Sequence, residues 1–562
     1  MKHSIIFNRL HTYIWSKPKH TSFLRSISRL ALDKNVTRSE LPDCELPRVS
    51  LTQYLFEQTD KFGSKVALEC ATTGKTYTYR QVRQLSVRFG ASLTKMGLRK
   101  GDILGLVLPN CPEWSFILLG AAYVGVIVTP VNPTYTAGEI IRQFNAAEVR
   151  AVLCDISYVS MLKPKLNNIH SSNVFITIFG HSEGCITFED LISTDLYTDE
   201  ATIDPENDTL ILPYSSGTTG LPKGVILSHS NIVYNLCQIH APATTQVRTA
   251  IGEYQERPVC ILPYFHIYGL QTLLSGLWHG SHQTILSKFE PGSFLSTLNS
   301  VKPTMLQLVP PLISYLGNEK KINLKAFERM HTIMSGAAPL GPATANKLLE
   351  KLRNPGITLQ EGYGLTETSP VTHLSPLQNA EIGSCGKPVS RTEVKVVDLE
   401  TGNALGPNEE GELCVKGPQI MKGYFKNPAA TANMIDDDGW LHTGDVAKYD
   451  AEKRFYIVDR LKELIKVKGL QVAPSELEDL LRSHPQIDDV AVIGVPDERT
   501  GEAPKAYVVV KPGAELSEKN IADFVAQKVA PHKQLRGGVV IASSIPKSAS
   551  GKILRRELRS NI

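Results

Sequence analysis

The sequence has few of the features of a disulfide framework or a small zinc module. Its nine cysteines are scattered along 562 residues, and no two of them form a Cys-x-x-Cys pair. Such pairs are typical of zinc sites and of small disulfide-linked scaffolds. We therefore expect neither, and the pattern is compatible with a reducing compartment.

The sequence also lacks a hydrophobic segment long enough to cross a membrane. Its longest apolar run, from Trp114 to Val128, is interrupted by two glycines and is shorter than the roughly 20 residues that a bilayer requires. We interpret it as a buried helix that leads into a strand, and we expect a soluble protein. A composition of 42% hydrophobic and 21% charged residues is typical of a globular enzyme.

Acidic residues are missing from residues 1–32, which contain six lysines and arginines among apolar residues. A basic, acid-free amphipathic segment is typical of a mitochondrial transit peptide, so we predict its removal and delivery of the protein to the mitochondrial matrix. A basic tail without a targeting role is the alternative, with a cytoplasmic or peroxisomal location. Without these six charges the formal charge of +4 becomes −2, and we predict no nucleic-acid partner.

The chain is too long for one hydrophobic core, and its texture changes twice. From about 50 to 375, short apolar runs alternate with amphipathic segments, which predicts doubly wound, mainly parallel sheets. From 380 to 458, glycines and short alternating segments predict a small β-barrel-like subdomain. We therefore predict an α/β fold with a large N-terminal domain at 50–458 and a small, mobile α+β C-terminal domain at 459–562.

Individual elements are predicted from the same patterns. The predicted strands are 103–108, 151–155, 174–179, 209–213, 259–263, 284–286, 331–334, 393–397 and 411–415, and the predicted helices include 79–95 and 136–146.

The densest motif is SSGTTGLPKG at 215–224, which follows a predicted strand. Glycines allow successive backbone N–H groups to point at an anion, and the hydroxyls and Lys223 add donors. The usual nucleotide-triphosphate loop has a glycine before its lysine and a Ser or Thr after it, and this loop has neither. We predict a phosphate-binding loop of another class, with a flexible Ser/Gly turn as the alternative.

Four further stretches carry candidate chemistry: QEGYGLTE at 360–367, WLHTGD at 440–445, DRLKELIKVKG at 459–469 and SGKILRR at 550–556. Tyr363 stands between two glycines and can present a flat face to a planar base. Glu367 offers the hard oxygen that Mg²⁺ prefers, and Asp445 can accept hydrogen bonds from sugar hydroxyls. Each stretch taken alone is more often a turn or a solvated charged face.

Together, and in this order, these stretches resemble the adenylate-forming superfamily, and most of all its acyl-CoA synthetase and 4-coumarate–CoA ligase branch. The resemblance runs from about 50 to 555 and includes SGAAPL at 335–340, GELCVKG at 411–417 and YIVDRLKELIKVKGLQVAPSELEDLL at 456–481. It implies an ATP-dependent, Mg²⁺-assisted acid–thiol ligase that activates a carboxylic acid as an acyl-adenylate and transfers it to CoA.

The resemblance implies a role for each matching residue. It assigns the phosphates to Ser215, Ser216, Gly217, Thr218, Thr219, Gly220 and Lys223, the adenine to Gly336, Ala337 and Tyr363, and the ribose to Asp445 and Arg460. It assigns catalysis to Thr366, Glu367 (with Mg²⁺), His266, Lys552 for adenylation and Lys466 for thioester formation. It places a hinge at Lys462 and the CoA side at Lys468 and Gly469, because the C-terminal domain of this family rotates between half-reactions.

The acid itself is not specified by these motifs. Candidate acyl-pocket residues are Phe265, Tyr268, Gly269, Val309, Gly362, Pro370 and Val371. The mitochondrial address favours a medium-chain fatty acid, with an aryl-propenoic acid second because Glu361 stands where plant coumarate ligases carry glutamine.

Three other functions compete with a CoA ligase. A luciferase-like monooxygenase is disfavoured because Phe265 replaces the first of two adjacent histidines. A peptide-synthetase module lacks a carrier-like domain after Lys552, although a separate carrier protein is still a possible acceptor. A noncatalytic metabolite-binding protein is expected to lose Lys552 or Glu367, and both are present. The oligomeric state is not readable from these motifs.

Overall fold

A computed structural model describes residues 35–166, 174–215, 222–245, 247–378, 380–468, 470–497, 499–548 and 551–559. The predicted transit peptide, residues 216–220 of the phosphate loop and Gly469 lie outside these ranges. The described chain has an α/β fold with a large N-terminal domain and a small C-terminal domain.

The largest sheet has nine strands and provides the phosphate-loop hairpin. Its parallel core is, in spatial order, Thr209–Ile211, Ile127–Val131, Ile103–Val107, Ala151–Asp155, Val174–Ile178 and Ile186–Thr187. The strands Lys223–Ser228, Tyr214–Ser215 and Gly423–Tyr424 add antiparallel pairs beside Thr209–Ile211. Parallel strands covered by helices present ligand sites at their carboxyl ends, which is where the loop after Tyr214–Ser215 begins.

Two further sheets complete the α/β part. One contains Val259–Cys260, Gln283–Ile285, Val66–Cys70 and Thr76–Thr78. The other contains Met305–Leu308, Thr332–Ser335, Thr358–Gly364, Val371–Leu374 and Lys387–Pro388, and its first three strands are parallel. The strand Thr358–Gly364 carries the tyrosine of the EGYG motif to the edge of this sheet.

Helices pack on these sheets, and several begin with a capping box. In Tyr79–Lys95, Thr78 accepts the Gln81 N–H while the Gln81 side chain binds the Thr78 backbone. The helices of the N-terminal domain are Leu51–Phe62, Tyr79–Lys95, Glu113–Tyr123, Ala137–Ala147, Val159–Leu166, Phe188–Ser193, His229–Ile239, Ile267–His279, Pro291–Val301, Pro310–Asn318, Pro342–Leu352 and Pro428–Ala432.

The predicted β-rich subdomain is a five-stranded antiparallel sheet. Its strands are, in spatial order, Thr37–Arg38, Glu393–Val397, Gly411–Lys416, Leu441–Tyr449 and Phe455–Arg460. The last two strands pair so that Asp445 lies opposite Arg460. This register places the two residues of the predicted ribose site side by side.

The C-terminal domain is built on a mixed sheet of its own. Its strands are Ile465–Val467, Leu470–Val472, Ile487–Asp497, Gly501–Val510 and Gly538–Ile541, and its helices are Pro474–Arg482, Glu518–Ala526 and Arg555–Arg559. Leu477, Val490, Val508 and Ile521 belong to its buried core. This core is separate from those of the N-terminal sheets, as expected for a unit that could move as one body.

Most predicted elements are confirmed, with errors at their ends. The helix 79–95 and the strands 151–155 and 393–397 have the predicted bounds. The run from Trp114 is a buried helix, Glu113–Tyr123, followed by the strand Ile127–Val131, and Gly125 makes the turn at φ 73°. The strand predicted at 259–263 is wrong after Cys260, since it leads into the turn before the helix Ile267–His279. No helix of the described residues is both long and apolar enough to cross a membrane.

Candidate active site

A cavity of about 490 Å³ lies between the N-terminal sheets and the C-terminal domain. Tyr363, Asp445 and Arg460 line it from one side and Lys552 from the other. Residues that are nearly 200 positions apart in the sequence therefore meet in one cleft.

Asp445 is a buried hydrogen-bond acceptor in the cleft. It is 3% exposed, its Oδ2 accepts the Tyr363 hydroxyl at 2.7 Å, and its Oδ1 lies 3.1 Å from Arg460 Nε. Its own backbone N–H donates to Thr443 Oγ1 at 3.1 Å, which fixes the turn. Burial raises the pKa of Tyr363, and the neighbouring Asp445 carboxylate raises it further, so the phenol stays a donor.

Glu367 anchors the second corner, where the phosphate loop begins. It is 5% exposed and sits in a short 3-10 turn, Thr366–Thr368. Its Oε1 accepts hydrogen bonds from Ser215 Oγ at 2.7 Å and Tyr424 OH at 2.9 Å. Both described hydrogen bonds fall on Oε1, so Oε2 is the oxygen that could bind a cation.

Lys223 lies close to the same corner. It is the register partner of Ser215 across the hairpin, and its ammonium lies 5.0 Å from the Tyr424 ring centroid. The two ends of the phosphate loop are therefore fixed beside Glu367, with Thr366 half-buried next to it.

Lys552 enters the cleft from the C-terminal domain. A Cβ on the preceding Gly551 would lie 2.9 Å from Pro311 Cγ and 3.4 Å from Val309, so the loop touches the N-terminal domain. Burial, with the Arg460 guanidinium as the second cause, lowers the pKa of Lys552 to about 8. Its charge is therefore placed at the end of the cavity near Asp445 and Arg460.

His266 caps the helix Ile267–His279, and its Nδ1 accepts the Tyr268 N–H at 3.3 Å. Burial, with the Lys552 charge as a second cause, lowers the pKa of His266 to about 4. The imidazole is thus neutral at physiological pH and belongs to the same neighbourhood as Lys552.

The other predicted lysines lie elsewhere. Lys466 and Lys468 are exposed and are not among the described residues that line the cleft. The Lys466 backbone N–H donates to Glu502 within its own sheet at 2.7 Å, and Lys468 has φ 52°. Lys462 sits in the 3-10 turn Leu461–Glu463 between the domains, and burial lowers its pKa.

Of the predicted acyl-pocket residues, Tyr268 packs against Gly336. A Cβ there would meet the Tyr268 ring at 3.1 Å, and a Cβ on Gly362 would meet Met334 at 2.9 Å. Val309 and Val371 are 5% and 6% exposed. The remaining members are Phe265, which is half-buried, Gly269 in the first turn of the capped helix, and the buried Pro370. Ala337, which was assigned to the adenine, lines the cleft and has φ 72°.

The Tyr268 hydroxyl is one of several buried polar groups in the described residues that lack a hydrogen-bond partner, together with those of Tyr264 and Ser335. A buried hydroxyl without a partner costs roughly 1–3 kcal/mol, so a ligand that supplies an acceptor or donor would recover this energy.

Sequence reasoning missed two residues of the site, Tyr424 and Asp479, and noticed a third, Glu361, without assigning it a role. Tyr424 holds Glu367, but nothing in the sequence links these two positions. Asp479, on the helix Pro474–Arg482, reaches across to the N-terminal domain, where a Cβ on Gly341 would lie 3.2 Å from its Oδ1. The Glu361 carboxylate accepts the Gly383 N–H at 2.6 Å, and its substitution for glutamine was the only signal.

A family model for the AMP-binding enzymes matches residues 55–425, and one for the AMP-binding enzyme C-terminal domain matches residues 476–552. The chain belongs to the AMP-binding enzyme family. It is an adenylate-forming acid–thiol ligase of the acyl-CoA synthetase branch, with ATP and CoA as substrates.

Curated relatives include 4-coumarate–CoA ligase 3 of Oryza sativa subsp. japonica, which is 39% identical over 535 residues, or 94% of this chain and 95% of that protein. 4-Coumarate–CoA ligase 1 of Arabidopsis thaliana is 39% identical over 546 residues, with the same coverage. Among solved structures, ATP-bound MatB from Rhodopseudomonas palustris has a TM-score of 0.82 at 26% identity, covering 91% of this chain and 99% of that one. The anthranilate CoA ligase AuaEII with anthranoyl-AMP has a TM-score of 0.83 at 25% identity, covering 92% and 98%.

Proposed function

We propose that this AMP-binding enzyme joins a ring-hydroxylated aryl-propenoic acid to CoA, in two reactions that use opposite faces of its C-terminal domain. The single observation that supports the first reaction is Lys552, which lines the same cleft as Tyr363, Asp445 and Arg460.

In the first reaction, a carboxylate oxygen of the acid attacks the α-phosphorus of ATP and pyrophosphate leaves. Two anions must approach each other, so the main task of the protein is to neutralise charge and to position the reactants. Lys552 supplies the charge between carboxylate and α-phosphate, while Asp445, fixed by Arg460 and Tyr363, accepts from the ribose hydroxyls.

Mg²⁺ fits the corner at Glu367. The buried carboxylate is a hard oxygen donor, and the hydroxyls of Ser215 and Tyr424 hold its other oxygen in place. When bound, the ion would neutralise phosphate charge, which assists departure of pyrophosphate. Ser215 and Lys223 fix the two ends of the loop that would hold the β- and γ-phosphates.

In the second reaction, the CoA thiolate attacks the acyl carbon and AMP leaves. We assign this step to Lys466 and its neighbours, after rotation of the C-terminal domain about Lys462. The exposed position of Lys466 supports the assignment, because this lysine cannot act at the cleft in the described orientation.

The ring hydroxyl of the proposed acid is argued from Tyr268. Its buried hydroxyl lacks a partner, and relatives that share 39% of their residues are 4-coumarate–CoA ligases. Glu361 does not oppose this substrate, because its carboxylate is committed to the backbone N–H of Gly383. A medium-chain fatty acid is the second candidate, favoured by the buried apolar side chains of Val309 and Val371.

A panel of acids compared by kcat/KM tests this choice: 4-coumarate, cinnamate and octanoate, each with wild type and Tyr268→Phe. We expect 4-coumarate to be preferred and to lose about fivefold in kcat/KM in the variant, since a hydrogen bond contributes about 1 kcal/mol. Cinnamate, which lacks the ring hydroxyl, should be unaffected. A preference for octanoate, with no response to Tyr268→Phe, would favour the fatty acid.

We also propose a mitochondrial location for the protein. The acid-free composition of residues 1–32 supports import into mitochondria. A fluorescent fusion should accumulate in mitochondria and lose this distribution when the six lysines and arginines are changed to glutamine. A cytoplasmic or peroxisomal signal from the unchanged fusion would overturn the proposal.

A further inference from the structure

Three potential metal ligands meet on one face of the five-stranded antiparallel sheet, outside the catalytic cleft. Glu412 and Cys414 lie on the strand Gly411–Lys416, and His442 lies on the neighbouring strand Leu441–Tyr449, directly opposite Cys414. One ligand atom from each residue lies within 4.8 Å of the other two.

The distances are close to those that a tetrahedral ion imposes. Cys414 Sγ is 3.5 Å from His442 Nδ1, and this nitrogen is 2.8 Å from Glu412 Oε2. Zinc bonds to sulfur, nitrogen and oxygen place the ligand atoms roughly 3.3–3.7 Å apart. The thiol and the imidazole already have this spacing, and Glu412 Oε2 would need to retreat by only about half an ångström.

The outer contacts of the cluster are those that orient metal ligands. The second oxygen of Glu412, Oε1, accepts the Gly444 N–H at 3.1 Å, which leaves Oε2 directed at the cluster. The second nitrogen of His442, Nε2, lies 3.5 Å from Asp436 Oδ2. A histidine whose other nitrogen faces a carboxylate is the usual arrangement at a zinc ion, since it fixes the ring and its tautomer.

Burial and access also suit an ion. Cys414 is fully buried, whereas the His442 side chain is 34% exposed, so a cation could enter from solvent on the imidazole side. A thiolate, an imidazole and a carboxylate form a donor set for Zn²⁺ or a softer ion, not for Mg²⁺.

We propose that Glu412, Cys414 and His442 bind one zinc-class divalent cation, with water completing the coordination. The absence of Cys-x-x-Cys pairs predicted no zinc site, but these ligands come from two strands and meet only through their register. The ion would tie together the two strands that carry the Thr443–Asp445 turn, and its role would be to stabilise this sheet. Without an ion, the same side chains form a His–Glu ion pair beside a thiol.

Titration of the full-length protein with Co²⁺ tests the site directly. We expect one equivalent to bind and to give a near-ultraviolet thiolate-to-cobalt charge-transfer band. Cys414→Ser should remove this band. Cys154→Ala, which removes a buried cysteine from the nine-stranded sheet, should retain it. A wild type without the band, or a band that persists in Cys414→Ser, would overturn the proposal.

His442→Gln keeps the test decisive even if Cys414→Ser does not fold, because this side chain is partly exposed. It should weaken Co²⁺ binding by more than tenfold, and Asp436→Asn should weaken it by roughly 10- to 100-fold, the usual effect of removing an outer partner. Zn²⁺ should also raise the Tm of wild type but not of His442→Gln. Equal affinities and equal Tm shifts in the two proteins would show that the cluster is only an ion pair.

Discussion

Two segments of the C-terminal domain each carry a lysine assigned to catalysis, but they differ in exposure and in their position relative to the cleft. Lys552 is half-buried and lines the cleft, where the preceding Gly551 lies close to Pro311. Lys466 is exposed on a strand whose other two residues are buried, and its backbone N–H donates to Glu502 of its own sheet. Because both belong to one compact unit, only one of them can face the cleft at a time. Under the proposed mechanism, the described orientation is therefore the one that serves adenylate formation.

One of the contacts that hold this orientation is polar and is made by Asp479. Asp479 faces the start of the helix Pro342–Leu352, whose first position follows Gly341 and has no side-chain cap of its own. A carboxylate is favoured at a helix N-terminus. Glu361 opposes this attraction, because its carboxylate repels that of Asp479. Burial, with the Asp479 charge as a further cause, raises the pKa of Glu361 to about 7. The interface therefore contains an attraction, between Asp479 and the helix N-terminus, and a repulsion, between Asp479 and Glu361. Such a balance is expected where two domain orientations must exchange.

Removing Lys552 should produce the largest difference between the two segments. We expect Lys552→Ala to slow ATP–pyrophosphate exchange by roughly 10²- to 10³-fold, the cost of deleting a transition-state contact. Thioester formation from supplied acyl-adenylate should stay near the wild-type rate. Lys547→Ala is the control, because Lys547 lines the same cleft but is paired with Asp489. Equal losses in both half-reactions would contradict the division of labour.

Removing Lys466 should give the reverse pattern. We expect Lys466→Ala to slow thioester formation from supplied adenylate by about 10²-fold, as a misplaced reactant does, and to spare pyrophosphate exchange. Lys519→Ala, an exposed lysine of the same domain that pairs with Asp523, should change neither reaction. A loss of exchange in Lys466→Ala would show that this lysine already acts at the cleft.

A decline of the exchange rate above pH 8 should report the Lys552 segment. Its pKa is lowered to about 8, so the charged form is present below pH 8 and is lost above it. We expect kcat/KM for exchange to fall about tenfold per pH unit above pH 8. Lys552→Arg keeps its charge over this range and should be slower but lack the decline. The same decline in Lys552→Arg would assign it to another group.

The smallest effect should come from Glu361. Below about pH 7 this carboxyl is protonated, and above it a negative charge faces Asp479. Glu361→Gln should therefore favour the described orientation at pH 8 by about 0.5 kcal/mol, or roughly twofold in exchange rate. At pH 6 the variant and wild type should agree. A change of the same size at both values would exclude charge as the cause.

Local patterns predicted the elements well, because capping boxes and alternating apolar runs act within a few residues. The helix from Tyr79 to Lys95 was predicted from its own sequence. The pairing of Glu367 with Tyr424, 57 positions away, could not be predicted, because it depends on how two sheets pack. The contact of Asp479 with Gly341 could not be predicted either. Under the proposed mechanism it forms in only one of two domain orientations, and the same sequence adopts both.

We propose that one orientation of the C-terminal domain serves adenylation and must be left before the thioester forms. A disulfide between Gly341→Cys and Asp479→Cys tests it, since the Asp479 Cγ position lies 3.5 Å from a Cβ on Gly341 and a disulfide needs about 3 Å between these atoms. Both single variants and oxidised wild type serve as controls. We expect the oxidised double variant to retain pyrophosphate exchange, to lose thioester formation, and to regain it on reduction. Thioester formation at the wild-type rate by the fully cross-linked protein would contradict it.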